Sequence, residues 1–240
     1  MANVKITDLT ALSGALVGAD LFEIVDDPAG TPASRKVTAE AIRNYTSQNY
    51  IPGGRLTLES GVPVSTTDQT AKTTVYYTPF VHNVINLWDG ANWAPTEFTE
   101  TSLALGTLTS ARPYDVFAYL SGGALTLELL AWTNDTTRAT AVTIQDGRYC
   151  KSGDKTRLLL GTFYTTSTTT TEGSQEHRYL SNVYNKVGRR CFVSVAGETT
   201  TSGTLNEIDN AGADTDPRIS LVAALTEGFN YGGTVAALST

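Results

Sequence analysis

Residues 113–171, PYDVFAYLSGGALTLELLAWTNDTTRATAVTIQDGRYCKSGDKTRLLLGTFYTTSTTTT, decide the fold. Tyr114, Val116, Ala118 and Leu120 alternate with Asp115, Phe117 and Tyr119. After Ser121-Gly122-Gly123-Ala124, the residues Leu125, Leu127, Leu129 and Ala131 alternate with Thr126, Glu128, Leu130 and Trp132. Period-two alternation sends successive side chains to opposite faces, and a glycine pair between two such runs is the sequence form of a β-hairpin. Large apolar groups stand on both faces. The pattern therefore predicts that each face is covered, by a second sheet or by another subunit.

Outward from this stretch the reading is strand after strand. Leu56 and Leu58, Val75 to Tyr77, Val84 to Trp88 and Trp93 to Phe98 are short apolar runs. Asp89-Gly90-Ala91-Asn92 predicts a four-residue hairpin loop with Trp88 and Trp93 facing across its mouth. Asp146-Gly147 and Ser152-Gly153-Asp154 mark two further turns. Thr165 to Thr171 is too polar for a core and is expected as an exposed edge strand or extended loop. Glu176 to Val187 fits helical spacing and strand composition equally.

Residues 1–50 differ in texture. Leu21, Phe22, Ile24 and Val25 predict a short strand, stopped by Asp26-Asp27-Pro28, and Arg35 to Val37 a second. Thr38 is placed to cap a short helix through Ala39, Ala41, Ile42 and Tyr45. So small a unit has little core of its own. Ile51-Pro52-Gly53-Gly54 marks the break, because proline disfavours helix before it and paired glycines let the backbone turn. Residues 191–240 open with an expected strand, Cys191 to Val195, then turn rich in Thr and Gly, with a last apolar segment at Ile219 to Leu225. The division expected is an N-terminal segment at 1–53, a β-rich domain at 54–190 and a β extension at 191–240.

Composition narrows the function. The chain has 240 residues, net charge −7 and only 17% charged residues, with hydroxyls carrying much of the polarity. A nucleic-acid protein would normally present a basic face, and no apolar run reaches the ~20 residues of a membrane span. The N-terminus lacks the apolar core of a signal peptide. These features predict a protein made soluble in the cytoplasm, with neither nucleic-acid binding nor membrane insertion.

No catalytic constellation emerges, and no cofactor is expected. His82 lies between apolar residues with no second ligand at metal spacing, and His177 lies in a charged stretch expected to be exposed. Asp115 and Glu128 stand close enough on adjacent strands for glycosidase carboxylates, but solvated or salt-bridged outward residues are the plainer reading. The acidic segment Asp209 to Asp216 fails calcium-loop spacing. Cys150 and Cys191 read as isolated buried thiols, with a disulfide between them as the alternative.

Two segments resemble a known family. Ile6-Thr7-Asp8-Leu9, Ala19 to Asp26 and Arg35-Lys36-Val37-Thr38 before a short helix resemble the virion-attachment segment of tailed-bacteriophage fibre proteins. Gly54 to Val64, Thr74 to Pro79, Leu87-Trp88-Asp89-Gly90, Arg112 to Tyr119 and Leu130 to Thr171 resemble a region recurring in phage virion proteins. The resemblance implies a virion structural protein without catalytic residues, most simply a tail or adaptor fibre anchored by its N-terminus. The implied architecture is mainly β: a small anchor with short strands and one helix, then an antiparallel β-sandwich-like region in a symmetric homotrimer. Leu21, Phe22, Ile24, Ile42 and Tyr45 are the expected anchoring residues. A capsid decoration or head fibre is one alternative. Another is a module binding host-surface glycan through Trp88, Trp93, Tyr119 and Trp132, since sugars stack on aromatic faces; Tyr114 and Tyr164 extend that supply of rings. Expected partners are sister subunits and other virion proteins.

Overall fold

The computed structural model of the protein describes the backbone of residues 21–26, 33–39, 41–42, 51–189 and 220–221. Within them the chain is mainly β, in several antiparallel sheets. The strands are β1 (Leu21–Asp26), β2 (Ala33–Thr38), β3 (Gly54–Thr57), β4 (Gln69–Lys72), β5 (Thr74–Pro79), β6 (Val84–Trp88), β7 (Trp93–Glu97) and β8 (Thr101–Ala104). They continue with β9 (Pro113–Ser121), β10 (Ala124–Ala131), β11 (Val142–Gln145), β12 (Arg148–Lys151) and β13 (Asp154–Tyr164). The last are β14 (Thr171–Gly173), β15 (His177–Arg178), β16 (Leu180–Asn182) and β17 (Ser220–Leu221).

The deciding hairpin forms as its pattern predicts. β9 and β10 pair from Ser121↔Ala124 to Tyr114↔Ala131. Gly122 and Gly123 sit at φ 58° and 81°, the left-handed pair that a tight two-residue hairpin turn requires and that glycine adopts without a steric penalty. This register puts Tyr114, Val116 and Ala118 on the same face as Leu127, Leu129 and Ala131. β13 extends that face, with Phe163 opposite Tyr114 and Leu158 opposite Ala118. A bulge at Leu160 inserts one residue, and all of β13 from Leu158 to Phe163 is buried.

These strands belong to a six-stranded sheet in the order β10-β9-β13-β12-β11, with β16 also pairing β13. Its inner face meets the three-stranded sheet β3-β5-β8 and the β6–β7 hairpin in one core cluster. Leu56, Val75, Tyr77, Ile85, Leu87, Val116, Leu158 and Phe163 in that cluster are all nearly or wholly buried. Each such side chain contributes about 1.5–3 kcal/mol, which makes this cluster the main source of stability. Stacked rings reinforce it, Tyr77 on Phe98 at 4.9 Å and Tyr114 on Phe163 at 5.7 Å.

Two segments depart from the sequence reading, and a third settles one that it left open. The glycine pair Gly53-Gly54 is a packed seam rather than a free turn: Pro52, Gly53 and Gly54 are buried. A Cβ at Gly53 would overlap His82, and one at Gly54 would overlap the Tyr77 ring. The glycines answer to close approach, a constraint that local sequence does not reveal. The ends of the threonine run are likewise buried, Thr165 and Thr171 both at 0% exposure. Thr165 Oγ1 donates to the Thr109 carbonyl at 2.7 Å and accepts the Arg112 N–H at 3.0 Å; Thr171 Oγ1 donates to the Tyr164 carbonyl at 2.6 Å. Hydrogen bonds to backbone partners offset the cost of burying these hydroxyls, and only the middle of the run is an exposed loop. Finally, Glu176 to Val187 contains β15 and β16 rather than a helix, because β14 and β13 offer them edges to pair with.

Nearer the N-terminus, β1 and β2 pair antiparallel over Leu21↔Thr38 to Asp26↔Ala33. Thr38 Oγ1 accepts the Ala41 N–H at 3.0 Å, the expected helix cap. In the C-terminal segment, β17 pairs parallel with β15. Cys191 to Val195 and residues 228–240 lie outside the described residues.

One prediction follows from the close approach of β13 and β16. A Cβ at Gly161 would overlap the backbone oxygen of Ser181 and crowd Leu56. Gly161→Ala is expected to destabilise the protein by about 1–3 kcal/mol, the usual range for overpacking, read as a lower midpoint in urea unfolding with an unchanged slope.

Candidate functional site

The four aromatic residues singled out as candidate glycan contacts share one unexpected property: each carries a cation of the same chain over its ring. Trp88 and Trp93 are directly opposite in the β6–β7 hairpin, with centroids 5.6 Å apart and rings edge to face. Lys155 Nζ lies 4.7 Å from the Trp88 ring and Arg148 Cζ 4.5 Å from that of Trp93. Arg157 stacks over Tyr119 at 3.9 Å and Arg138 over Trp132 at 4.3 Å. A cation over an aromatic face contributes about 0.5–1 kcal/mol when exposed and more when desolvated.

Carboxylates complete these clusters. The turn between β11 and β12 holds Asp146 at φ 51° and aims its carboxylate at the β6–β7 hairpin. One oxygen of Asp146 accepts both Lys155 Nζ at 2.7 Å and the Trp93 indole N–H at 3.0 Å. Those two donors, lysine first, hold the Asp146 carboxyl below the usual carboxylate range. Asp89 is held below it as well, by the N–H groups of Asn92 and Ala91 inside the predicted hairpin loop.

On the six-stranded sheet, Arg157 Nε meets Glu128 at 2.6 Å. Arg138 grips Asp115 with Nε at 2.7 Å and Nη2 at 3.3 Å, and Thr162 Oγ1 donates to Asp115 at 2.6 Å. Asp115 and Glu128 are therefore salt-bridged, as the plainer reading has it. Asp115 is not outward, however: its side chain is 3% exposed. The cause lies just after β10, where Trp132 and Arg138 pair in an antiparallel bridge that turns the chain back and brings Arg138 onto Asp115.

Exposure separates the four rings. Trp93 is 5% exposed and belongs to the core cluster, whereas Trp88, Tyr119 and Trp132 are half-buried. A ligand ring could reach only these three, and on each one face already carries a cation. A further aromatic stack, of which sequence reasoning named only Tyr164 as a candidate ring, lies at the C-terminal end of the domain. Tyr164 and Tyr179 are 5.1 Å apart, and His177 stacks on Tyr179 at 5.1 Å. His177 Nδ1 lies 3.2 Å from Glu172, so this histidine is half-buried rather than exposed. The signal that could have found the stack is the aromatic spacing of 164–184 read in strand register. His82 accepts the Val84 N–H through Nδ1 at 3.2 Å, a structural role.

Of the expected anchoring residues, Leu21 and Ile42 are 58% and 39% exposed and Phe22 is half-buried. Ile24 pairs with Arg35 on the backbone, on the same face of β1 as Phe22; its side chain and Tyr45 lie outside the described residues. Cys150 is free and buried, and burial pushes its thiol up to about 11. Cys191 and the acidic segment Asp209 to Asp216 lie outside the described residues. Among the described residues no cluster of His, Cys, Asp and Glu is placed to hold a metal ion, and no helix is long and apolar enough to cross a membrane. No family model, curated protein or solved structure matches the chain.

Two predictions follow. Arg138→Ala leaves a buried carboxylate without its cation and is expected to cost about 3–5 kcal/mol. Lys155→Ala removes an exposed pair and is expected to cost about 1 kcal/mol or less; denaturant unfolding of both variants gives the contrast. Cys150, buried with a thiolate disfavoured at neutral pH, is expected to remain unlabelled by a thiol reagent until the protein is unfolded, as read by peptide mass mapping.

Proposed function

We propose that this chain is a structural protein of a tailed-bacteriophage particle, a fibre or appendage attached through residues 1–53 and projecting its β-rich domain. The observation that carries the reading is the contrast between the two parts. β1 and β2 form a two-stranded sheet paired only with each other among the described residues, and a lone hairpin is marginal in water. Leu21 and Ile42 stand exposed on that unit, whereas residues between Leu56 and Tyr184 close around their own core. A segment whose described apolar side chains stand outside a core is suited to docking on another protein, and the sequence resemblance names the particle as the place.

In this reading the β-rich domain is sandwich-like and the protein assembles as a symmetric homotrimer. Its role is architectural, with no reaction assigned. The attachment point is the tail or adaptor region, with the capsid as the alternative location.

The test is incorporation into particles. Phe22 and Ile24 share one face of β1 with Val37 opposite Phe22. If both side chains dock on the particle, Phe22→Ser with Ile24→Ser forgoes about 1.5–3 kcal/mol per side chain and is expected to reduce the protein's content in purified particles by orders of magnitude. Wild-type content of the double variant would overturn the anchor.

A further inference from the structure

Among the described residues the buried charged ones are Asp115, Arg148 and Arg55. Asp115 is paired with Arg138. Arg148 lies over the Trp93 ring, and the Asp146 carboxylate acts on it across the same turn. Arg55, only 7% exposed, has neither kind of partner: among the described residues no carboxylate forms an ion pair with it and no ring lies beneath it. Burial first, and the guanidinium of Arg189 second, push the Arg55 pKa down to about 10. A charge withdrawn from water is costly unless an opposite charge and hydrogen bonds offset the loss. Here the neighbouring charge has the same sign.

The backbone around Arg55 is fixed. On β3 it stands opposite Thr78 of β5, and residues 182–185 run along the other edge of β3. The Leu56 N–H donates to Asn182 Oδ1 at 2.7 Å, and Asn182 Nδ2 donates to the Leu56 carbonyl at 3.1 Å. Asn185 Nδ2 donates to the Pro52 carbonyl at 2.7 Å and the Gly54 carbonyl at 2.8 Å. The Asn185 carbonyl so positioned accepts Arg55 Nη1, the one hydrogen bond of this side chain among the described residues. It leaves Nε and Nη2, the edge whose two parallel N–H groups fit two oxygens of one oxyanion. Neither nitrogen is sealed from solvent without a partner. Glu100 reaches the ladder partner Thr78, but its carboxylate is taken up by the hydroxyls of Thr78 and Ser60 and the Gly61 N–H.

We infer that Arg55 and Arg189 form a binding site for a free phosphate or sulfate ion, with Arg55 gripping two of its oxygens through Nε and Nη2. Arg189 supplies the second positive charge. Two cations without a carboxylate between them call for a doubly charged ion rather than a singly charged one. The fork is held in place by its bond to the Asn185 carbonyl, so little freedom is lost when the ion arrives. With so little of Arg55 exposed, the opening admits a small ion rather than a group carried on a larger molecule. The chain as a whole has a net charge of −7 and repels anions in general, so retention of one depends on a local site of this kind. The site stands apart from the particle reading above and does not rest on it.

The experiment is calorimetric titration of the full-length chain with sodium phosphate and with sodium sulfate, against sodium chloride at equal ionic strength. The wild type is expected to bind one phosphate or sulfate per chain, and its thermal midpoint to rise with phosphate concentration. Arg55→Lys keeps the charge but loses the fork, and is expected to bind phosphate at least about tenfold more weakly. Arg189→Gln, further from the core, is expected to weaken binding too and keeps the test open should Arg55→Lys fold poorly. Lys155→Ala removes a cation elsewhere on the domain and is expected to bind as the wild type does. Phenyl phosphate, too large for the opening, is expected to bind at least about tenfold more weakly than the free ion. A wild type that responds to phosphate and sulfate no more than to chloride would overturn the proposal, as it would if a carboxylate of the chain itself already filled the fork. Undiminished binding in both arginine variants would overturn it, and so would equal weakening in Lys155→Ala. Phenyl phosphate binding as tightly as phosphate would overturn the assignment to a free ion.

Discussion

The carboxylate of Asp115 is the constraint on which the outer side of the largest sheet depends. It sits on β9, between β10 and β13, and is shared by Arg138 and Thr162. After β10 the chain doubles back: Trp132 pairs with Arg138 in an antiparallel bridge, and the Thr133 N–H donates to the Thr137 carbonyl at 2.8 Å. Arg138 thereby meets Asp115, and its guanidinium also covers Trp132. Phe117 and Leu159 face the same side as Asp115 and are wholly buried outside the main core cluster. The sheet thus has two apolar layers, and the polar network on Asp115 belongs to the outer one.

The same economy recurs at each cation over a ring. A chain with only 17% charged residues has few charges to distribute, and Arg138, Lys155 and Arg157 each join a carboxylate to an aromatic face. The Asp146 cluster ties the β11–β12 turn to the β6–β7 hairpin, two elements of different sheets. Exposed ion pairs contribute little individually; their effect here is to set the position of one sheet against another through bonds of fixed direction.

What the sequence disclosed, and what it withheld, divides along the same physical line. Period-two alternation and turn glycines are local, so the β9–β10 hairpin, the facing tryptophans and the N-terminal strand pair with its Thr38 cap could be read directly from residues. Strand order is not local. The burial of Asp115 on β9 between β10 and β13 and the strands at 177–182 depend on which edges meet, and no window of sequence contains that. The threonines show a third case: composition marks them as polar, but burial turns on whether a carbonyl lies within reach, as for Thr165 and Thr171. The candidate rings were legible as aromatics, whereas the cations over Trp88, Trp93 and Tyr119 come from strands far away in sequence.

The seam at Pro52 to Gly54 shows how one packing requirement reaches the whole N-terminal end of the β-rich domain. His82 and Tyr77 occupy the space that a Cβ at Gly53 or Gly54 would take, so the backbones there approach as closely as glycine permits. Because Asn185 bonds the carbonyls on both sides of Gly53, the arriving and departing chains are held by one knot. Its left-handed φ of 54° is a conformation that asparagine tolerates better than most residues. A pair of glycines that turned freely would leave this edge loose, whereas a seam without spare volume fixes Pro52 to Gly54 against the sheet, so the path of the β-rich domain is set from its first three buried residues.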